Sequence, residues 1–371
     1  MIKLKTISGA LLLFLMLSEI SCDPFNTIIE NQSNEDAVIY YQAENIKTPP
    51  ANPDTLKVVT WNIKFGGGRI DFFFDCYGDR VLMTEDEVIS NMNGIIEKIN
   101  FLDPDIIYLQ EADIQSKRSA FIDEVQMILD KTDLNYGVYG SQWQADYVPS
   151  DGIGRVNSGN AVLSKYKLTD AERIPLSLID EDPAYVQYFY LRRNLLKAHI
   201  NVNGKDIILY GTHTSAYSDD GTKLKQLKTI KEEIDKTDSE GKIFILGGDF
   251  NTIPPNSVVY ENFDDAACDS TSDYYESGFA GQLDYMQPYF DDYSAAIPLD
   301  KYGTDLSTQE RYFTFTSDKD GFWNRKLDYI FTNGTFSGNS GHVHQTADDD
   351  NVPTMLLSDH APVSVRFSLN N

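Results

Sequence analysis

Apolar positions along the 371-residue chain alternate between two spacings. Residues 57–65 (KVVTWNIKF) form a compact apolar run and predict a strand. Behind Thr84 and Glu87, a capping-box pair, Val88, Met92, Ile95, Ile96 and Ile99 recur every three or four positions and predict an amphipathic helix. Phe121, Val125, Ile128 and Leu129 define a second helix face, and Leu224, Leu227, Ile230 and Ile234 a third. Strands are expected over residues 106–110, 160–163, 242–246, 327–331 and 361–367. Residues 195–212 alternate about Asn203 and Gly204, a pair with the backbone freedom of a tight hairpin turn. Helices interleaved with hairpins exclude a purely parallel doubly wound sheet. Two sheets packed face to face with helices outside satisfy the order.

Charge then narrows the partners. A net charge of -26 repels polyanions, and no run of Lys and Arg supplies a basic patch, so an extended nucleic-acid track is disfavoured. Lysines in 223–236 interleave with acids, as on a solvated helix face. Lys3 and Lys5, an apolar run over 10–17 and the pair Ser21-Cys22 form a processing signal too short to span a bilayer. It resembles a bacterial lipoprotein signal, in which an acylated Cys22 anchors the protein to a membrane. Glu19 departs from that pattern and keeps simple secretion open. The expected organisation is a signal over 1–22, a polar tether over 23–54 and one catalytic domain over 55–371, with insertions near 66–80 and 253–325. An exported monomer is expected. Cys76 and Cys268 are either disulfide-paired or free thiols, and neither has a His or second Cys at zinc-ligand spacing.

The candidate chemistry begins at FILGGDFNTIPP (244–255), where an apolar run stops at two glycines and presents Asp249, Phe250 and Asn251. In an extended chain Asp249 and Asn251 face the same side. Asn62, Glu111, His213 and Asp328 also fall at or beside strand ends, while Asp359 and His360 precede the last strand. Polar groups at several strand ends can converge on one rim, where rigid backbone holds them. Singly, each has a plainer reading, such as a solvated strand end or an Asx turn. His342 and His344 form an HxH pair expected to be solvated, and DKDG at 318–321 is expected to be a turn.

TWNIK, YLQE, GNAVLS, GTHTS, GGDFN, KLDYIF and SDHAPV occur in the order expected of the endonuclease/exonuclease/phosphatase superfamily, and the likeness spans about residues 57–367. This resemblance implies a deoxyribonuclease I-like four-layer α/β sandwich and Mg-dependent phosphoester hydrolysis, with Mn as a further option. It implies Glu111 as principal metal ligand, assisted by Asn62 and by Asp359 through water; an ion that retains waters needs only one or two carboxylates. Asp249 and Asn251 resemble the pair that handles the attacking water and the phosphate, and His213 the donor to phosphate or leaving oxygen. Asp328 resembles the residue orienting His360, so either Asp249 or His360 is the general base. Asn160, Arg193 and Arg118 match substrate-side positions, with Asp113 beside Arg118. Trp323 is expected in the core, and Lys326 stands where many relatives have Arg.

The expected function is hydrolysis of a compact phosphomonoester or phosphodiester, such as an inositol phosphate, a nucleotide or a lipid headgroup. A secreted nuclease with a local positive cleft is the alternative, and an inactive binding scaffold the second. Substrate choice is expected in the two insertions, the second rich in tyrosine (Tyr260, Tyr274, Tyr275, Tyr285, Tyr289, Tyr293).

Overall fold

The computed structural model describes residues 27, 37–75, 78–216, 220–258, 281–316, 323–347 and 352–370. The signal through Cys22, Cys76, Cys268, Tyr260, Tyr274, Tyr275 and the DKDG segment lie outside the described residues.

Strands β1 (Ile39–Gln42), β2 (Thr55–Asn62), β3 (Ile106–Asp113), β4 (Tyr136–Val148) and β5 (Gly154–Ser164) are followed by β6 (Leu168–Pro175), β7 (Asn194–Val202), β8 (Lys205–His213) and β9 (Ile243–Asp249). The last are β10 (Ser294–Ala295), β11 (Asp328–Thr332), β12 (His342–Val343) and β13 (Val363–Ser368). They form two mixed sheets, ordered β1-β4-β5-β3-β2-β13-β12 and β10-β11-β9-β8-β7-β6. Helices α1 (Glu85–Leu102) and α2 (Glu124–Lys131) pack on the first sheet. Short α3 (Ala184–Phe189) lies between β6 and β7, and α4 (Thr222–Ser239) and α5 (Gln287–Asp292) pack on the second sheet. The layers run helix, sheet, sheet, helix, as the four-layer sandwich requires.

Both faces of each central strand are covered, which is why these strands read as continuous apolar runs. Along β2, Leu56 and Val58 enter the core between the sheets, whereas Val59 and Trp61 meet the α1 layer. Burying each such side chain contributes about 1.5–3 kcal/mol relative to exposure. Thr84 caps α1 as its spacing predicts: its Oγ1 accepts from Glu87 N at 3.3 Å, and Glu87 Oε2 accepts from Thr84 N at 2.8 Å. The Gly247 position brings the sheets together. The Tyr108 ring lies where a Cβ would stand, 2.4 Å from its nearest carbon, and the Tyr108 hydroxyl donates to Ile245 O at 2.7 Å.

Several expectations are corrected. Residues 37–54 are part of the folded unit rather than a tether, because β1 pairs antiparallel with β4 and the Tyr41 hydroxyl donates to Asp123 Oδ2 at 3.0 Å. The strand expected over 57–65, β2, ends at Asn62, since Lys64 and Phe65 turn left-handed. Phe121 lies outside α2 and is 57% exposed. His344 is buried rather than solvated: β12 pairs with β13, and His344 Nε2 meets Ser364 Oγ at 2.8 Å. Tyr289 and Tyr293 pack under α4 in the core and do not wall a cleft. Trp323 is buried, as expected. Among the described residues no helix is long and apolar enough to cross a membrane.

Candidate active site

Strand register assembles the site. In the second sheet, His213 pairs with Asp249 across β8 and β9, and Asp249 pairs with Asp328 across β9 and β11, so three polar residues occupy one row at the sheet end. From the first sheet, Asn62 ends β2, and Glu111 sits in a β3 bulge between Leu109 and Ala112 with φ of 56°. A left-handed glutamate costs about 1–3 kcal/mol and persists only where the surroundings enforce it. Here the bulge re-aims the Glu111 carboxylate into the cavity. The His360 loop is fastened to β2, where Trp61 Nε1 donates to His360 O at 2.8 Å and Ser358 Oγ to Asn62 O at 2.7 Å.

The GGDFN segment departs from the extended geometry expected of it. The strand stops at Asp249, Phe250 is buried among Tyr289, Tyr329 and Phe331, and Asn251 turns left-handed with φ of 46°. Asn251 N donates to Asp249 Oδ1 at 2.9 Å, and its side-chain amide donates to Thr214 O at 3.0 Å. Both polar residues line the cavity, through this turn rather than through strand alternation. Just before it, Gly248 lets β8 and β9 approach closely, since a Cβ there would fall 2.2 Å from Thr212 O.

The imidazoles occupy opposite charge states. His360 lies between two acids, with Nδ1 2.8 Å from Asp328 Oδ2 and Nε2 3.5 Å from Asp249 Oδ2. Burial opposes a charged His360 ring, but Asp328 and Asp249 outweigh it and raise the ring to about 10. Burial pushes the Asp249 carboxyl up to about 7, with Asp328 adding to the rise against the His360 charge. His213, 3.4 Å from Asp249 Oδ2 through Nε2, is held well below its ordinary value by burial, Arg193 and His360, and is neutral. Its Nδ1 is buried without a hydrogen-bond partner among the described residues.

Two groupings offer cation ligands. Single atoms of Asp249, Asp328 and His360 lie within 4.8 Å of one another. The charged His360 ring already fills the space between those carboxylates, so this cluster is an ion-paired relay. Glu111 is different. Burial and then the nearby Asp359 charge raise its carboxyl, although the side chain is 32% exposed to the cavity. Two acids converging on open space suit a hard, oxygen-seeking divalent cation, and the residues therefore fit Mg or Mn. Asn62, expected to assist as a ligand, stands between Glu111 and Asp249. Its Oδ1 accepts from Lys64 N at 3.0 Å, leaving Nδ2 3.1 Å from both Glu111 Oε1 and Asp249 Oδ2. Asp359 is held low despite burial by Lys64, His360 and Arg69, with Lys64 Nζ 3.6 Å away.

The substrate-side residues separate into direct and indirect positions. Arg193 lines the cavity and donates to Gln142 Oε1 at 2.9 Å. Asn160 does not line it: its Oδ1 accepts from Gln142 Nε2, so it orients Gln142 and, through it, Arg193. Arg118 reaches the cavity but spends its guanidinium on a two-pronged bond to buried Asp113 at 2.8 and 2.9 Å and lies 3.6 Å over the Phe65 ring. Lys326 is buried away from the cavity lining, donates to Asp328 O at 2.7 Å and is lowered by burial to about 7. Sequence reasoning missed Lys64, Gln142, Trp143 and cavity residues Ile179, Tyr190 and Leu191. Lys64 was visible in TWNIK; Gln142 and Trp143 carry no local signal. Their strand, β4, had not been expected at all.

A family model described as the Endonuclease/Exonuclease/phosphatase family matches residues 59–360, and the chain belongs to that family. Its members are generally hydrolases acting on phosphoesters and commonly use divalent metal ions. The crystal structure of an endonuclease/exonuclease/phosphatase from Beutenbergia cavernae superposes with a TM-score of 0.54 at 18% identity, covering 85% of this chain and 72% of that one. One from Bacteroides vulgatus gives 0.52 at 16% identity, covering 85% and 99%. The human Nocturnin catalytic domain with bound sulfate anion gives 0.51 at 15% identity, covering 89% and 97%. At these identities the likeness establishes the fold alone. No curated protein matches the chain in sequence.

Proposed function

We propose that this protein is an exported, divalent-metal-dependent phosphoesterase that hydrolyses a compact phosphomonoester or phosphodiester. The observation that carries the reading is the single row His213–Asp249–Asp328, with His360 held between its two acids and Glu111 facing them from the other sheet. Water oxygen bonds to phosphorus as the ester P–O bond breaks. One water proton passes to a carboxylate, and the departing alkoxide takes a proton from solvent, giving an alcohol and the hydrolysed phosphate. Asp249, raised towards neutral pH, suits the accepting role, and the charged His360 ring suits stabilising the equatorial oxygens. Neutral His213 suits a hydrogen bond to phosphate. Glu111, with Asp359 behind it, would hold the cation, which when bound supplies Lewis-acid polarisation and charge neutralisation.

The cavity's charge favours one phosphate over a polymer. Arg118 is neutralised in place by Asp113, and Lys64 by Asp75 at 2.8 Å, so neither extends a basic track. The cavity of about 260 Å³ lies near the lower end of the small-ligand range of about 300–1,000 Å³. The apolar run before Ser21-Cys22 supports export. A panel of inositol phosphates, nucleotides, sphingomyelin and DNA, assayed with Mg, with Mn and with chelator, tests the reading. Metal-dependent turnover of a small phosphoester, lost in Asp249→Ala, is expected. Preferential degradation of plasmid with steep salt dependence would replace it with a nuclease.

A further inference from the structure

The cavity above the relay is walled by rings. Phe73 and Phe74 come from the 66–80 insertion, Trp143 from β4, Tyr190 from the segment after α3 and Phe315 from the second insertion. The ring wall begins at the chemistry itself, because the Phe315 ring centroid is 4.8 Å from that of His360. Neighbouring contacts hold it in place. Trp143 Nε1 donates to Phe189 O at 2.6 Å, Arg192 N donates to Gln142 O at 2.6 Å, and Arg69 reaches across to Thr316 O at 3.0 Å. Trp143 is half-buried and Tyr190 is 38% exposed, so both keep surface available at the mouth.

We infer that the cavity selects phosphoesters whose ester group carries a planar aromatic ring, seated among Trp143, Tyr190, Phe73 and Phe74 while the phosphate rests on the relay. This rests on the phosphoesterase reading and specifies its substrate class. Rings lining a narrow cavity favour flat partners, since aromatic pairs gain from offset or edge-to-face geometry beyond the area they bury. An alkyl chain gains only the area. Phe315, packed on His360 and lining the same cavity as the other rings, ties the occupant to the reacting phosphate rather than to a remote groove.

Benzyl phosphate and cyclohexylmethyl phosphate differ in planarity while releasing similar alcohols. Binding of both, and of their methyl diesters, is measured by calorimetry on the full chain with Mg, alongside turnover, for wild type, Trp143→Leu and Tyr190→Leu. Tighter binding of the benzyl esters by about 10-fold, reduced in either variant, is expected from the worth of ring stacking. Tyr190 stands at the exposed rim, so its variant remains informative if Trp143→Leu does not fold. Equal binding of the two esters, a cyclohexylmethyl preference, or a benzyl preference untouched in both variants overturns the inference. Turnover of both esters with equal binding leaves the phosphoesterase reading standing and removes this one; absence of metal-dependent turnover of any phosphoester in the wider panel removes both.

Discussion

Replacing Asp328 with Asn keeps the shape and an oxygen acceptor beside His360 Nδ1 while removing the charge 2.8 Å from the ring. Raising the ring from its ordinary 6.5 to about 10 corresponds to roughly 5 kcal/mol in favour of the charged form, net of burial. Asp328 heads the raising influences and Asp249 follows, and an opposite charge at this range shifts a titration midpoint by about 1–3 pH units. Asp328→Asn is therefore expected to bring the His360 midpoint down by that amount, and to lower kcat/KM by on the order of 10²-fold or more as the charged donor is lost at neutral pH. Ring nitrogen NMR in chelator reads the midpoint directly. Stability follows with a definite sign. His360 holds its proton more tightly folded than unfolded, so its contribution is complete below about pH 6.5 and is lost as pH climbs through about 10. Asp249, an acid raised from 3.8 to about 7, loses its stability below that window, whereas buried Lys326, lowered from 10.5 to about 7, gains stability across it, so the His360 contribution is read from urea unfolding between pH 8 and 10 as the difference between wild type and Asp328→Asn. Wild type should lose stability across that interval relative to Asp328→Asn. A wild-type His360 midpoint near 6.5, or the same midpoint and slope in the variant, refutes the reasoning.

Glu111→Gln removes a carboxylate held above its ordinary range by burial and Asp359, so the metal-free protein should melt at the same or a higher temperature while calorimetric Mg affinity falls at least 10-fold; a metal-free destabilisation would contradict the assignment. Gly247→Ala drives a Cβ to 2.4 Å from the Tyr108 ring between the sheets and should cost about 1–3 kcal/mol by urea unfolding, whereas Gly204→Ala, with open space around it but φ of 79°, should cost about 1 kcal/mol. Equal costs would show that the sheets do not meet closely at Gly247.

Much of the architecture was written in local pattern. Helix α1 announces itself through Thr84, Glu87 and its spaced aliphatic face, and the covered strands through unbroken apolar runs, because each signal depends on neighbours within a few residues. The resemblance marked Glu111, His213, Asp249, Asp328 and His360 at strand ends, and register then brought them together. What sequence alone could not determine was how side chains turn there. The bulge at Glu111, the left-handed turn at Asn251 and the choice of Nδ2 over Oδ1 at Asn62 depend on partners 49 to 187 residues away for Asn62 and on a cross-strand register shift for Glu111. The ring wall likewise unites Phe73, Trp143, Tyr190 and Phe315 from four separate segments. A residue's apolar character and spacing say that it is buried or paired. Which ring faces which phosphate is settled only when two sheets twist and their connecting segments meet over the same strand ends.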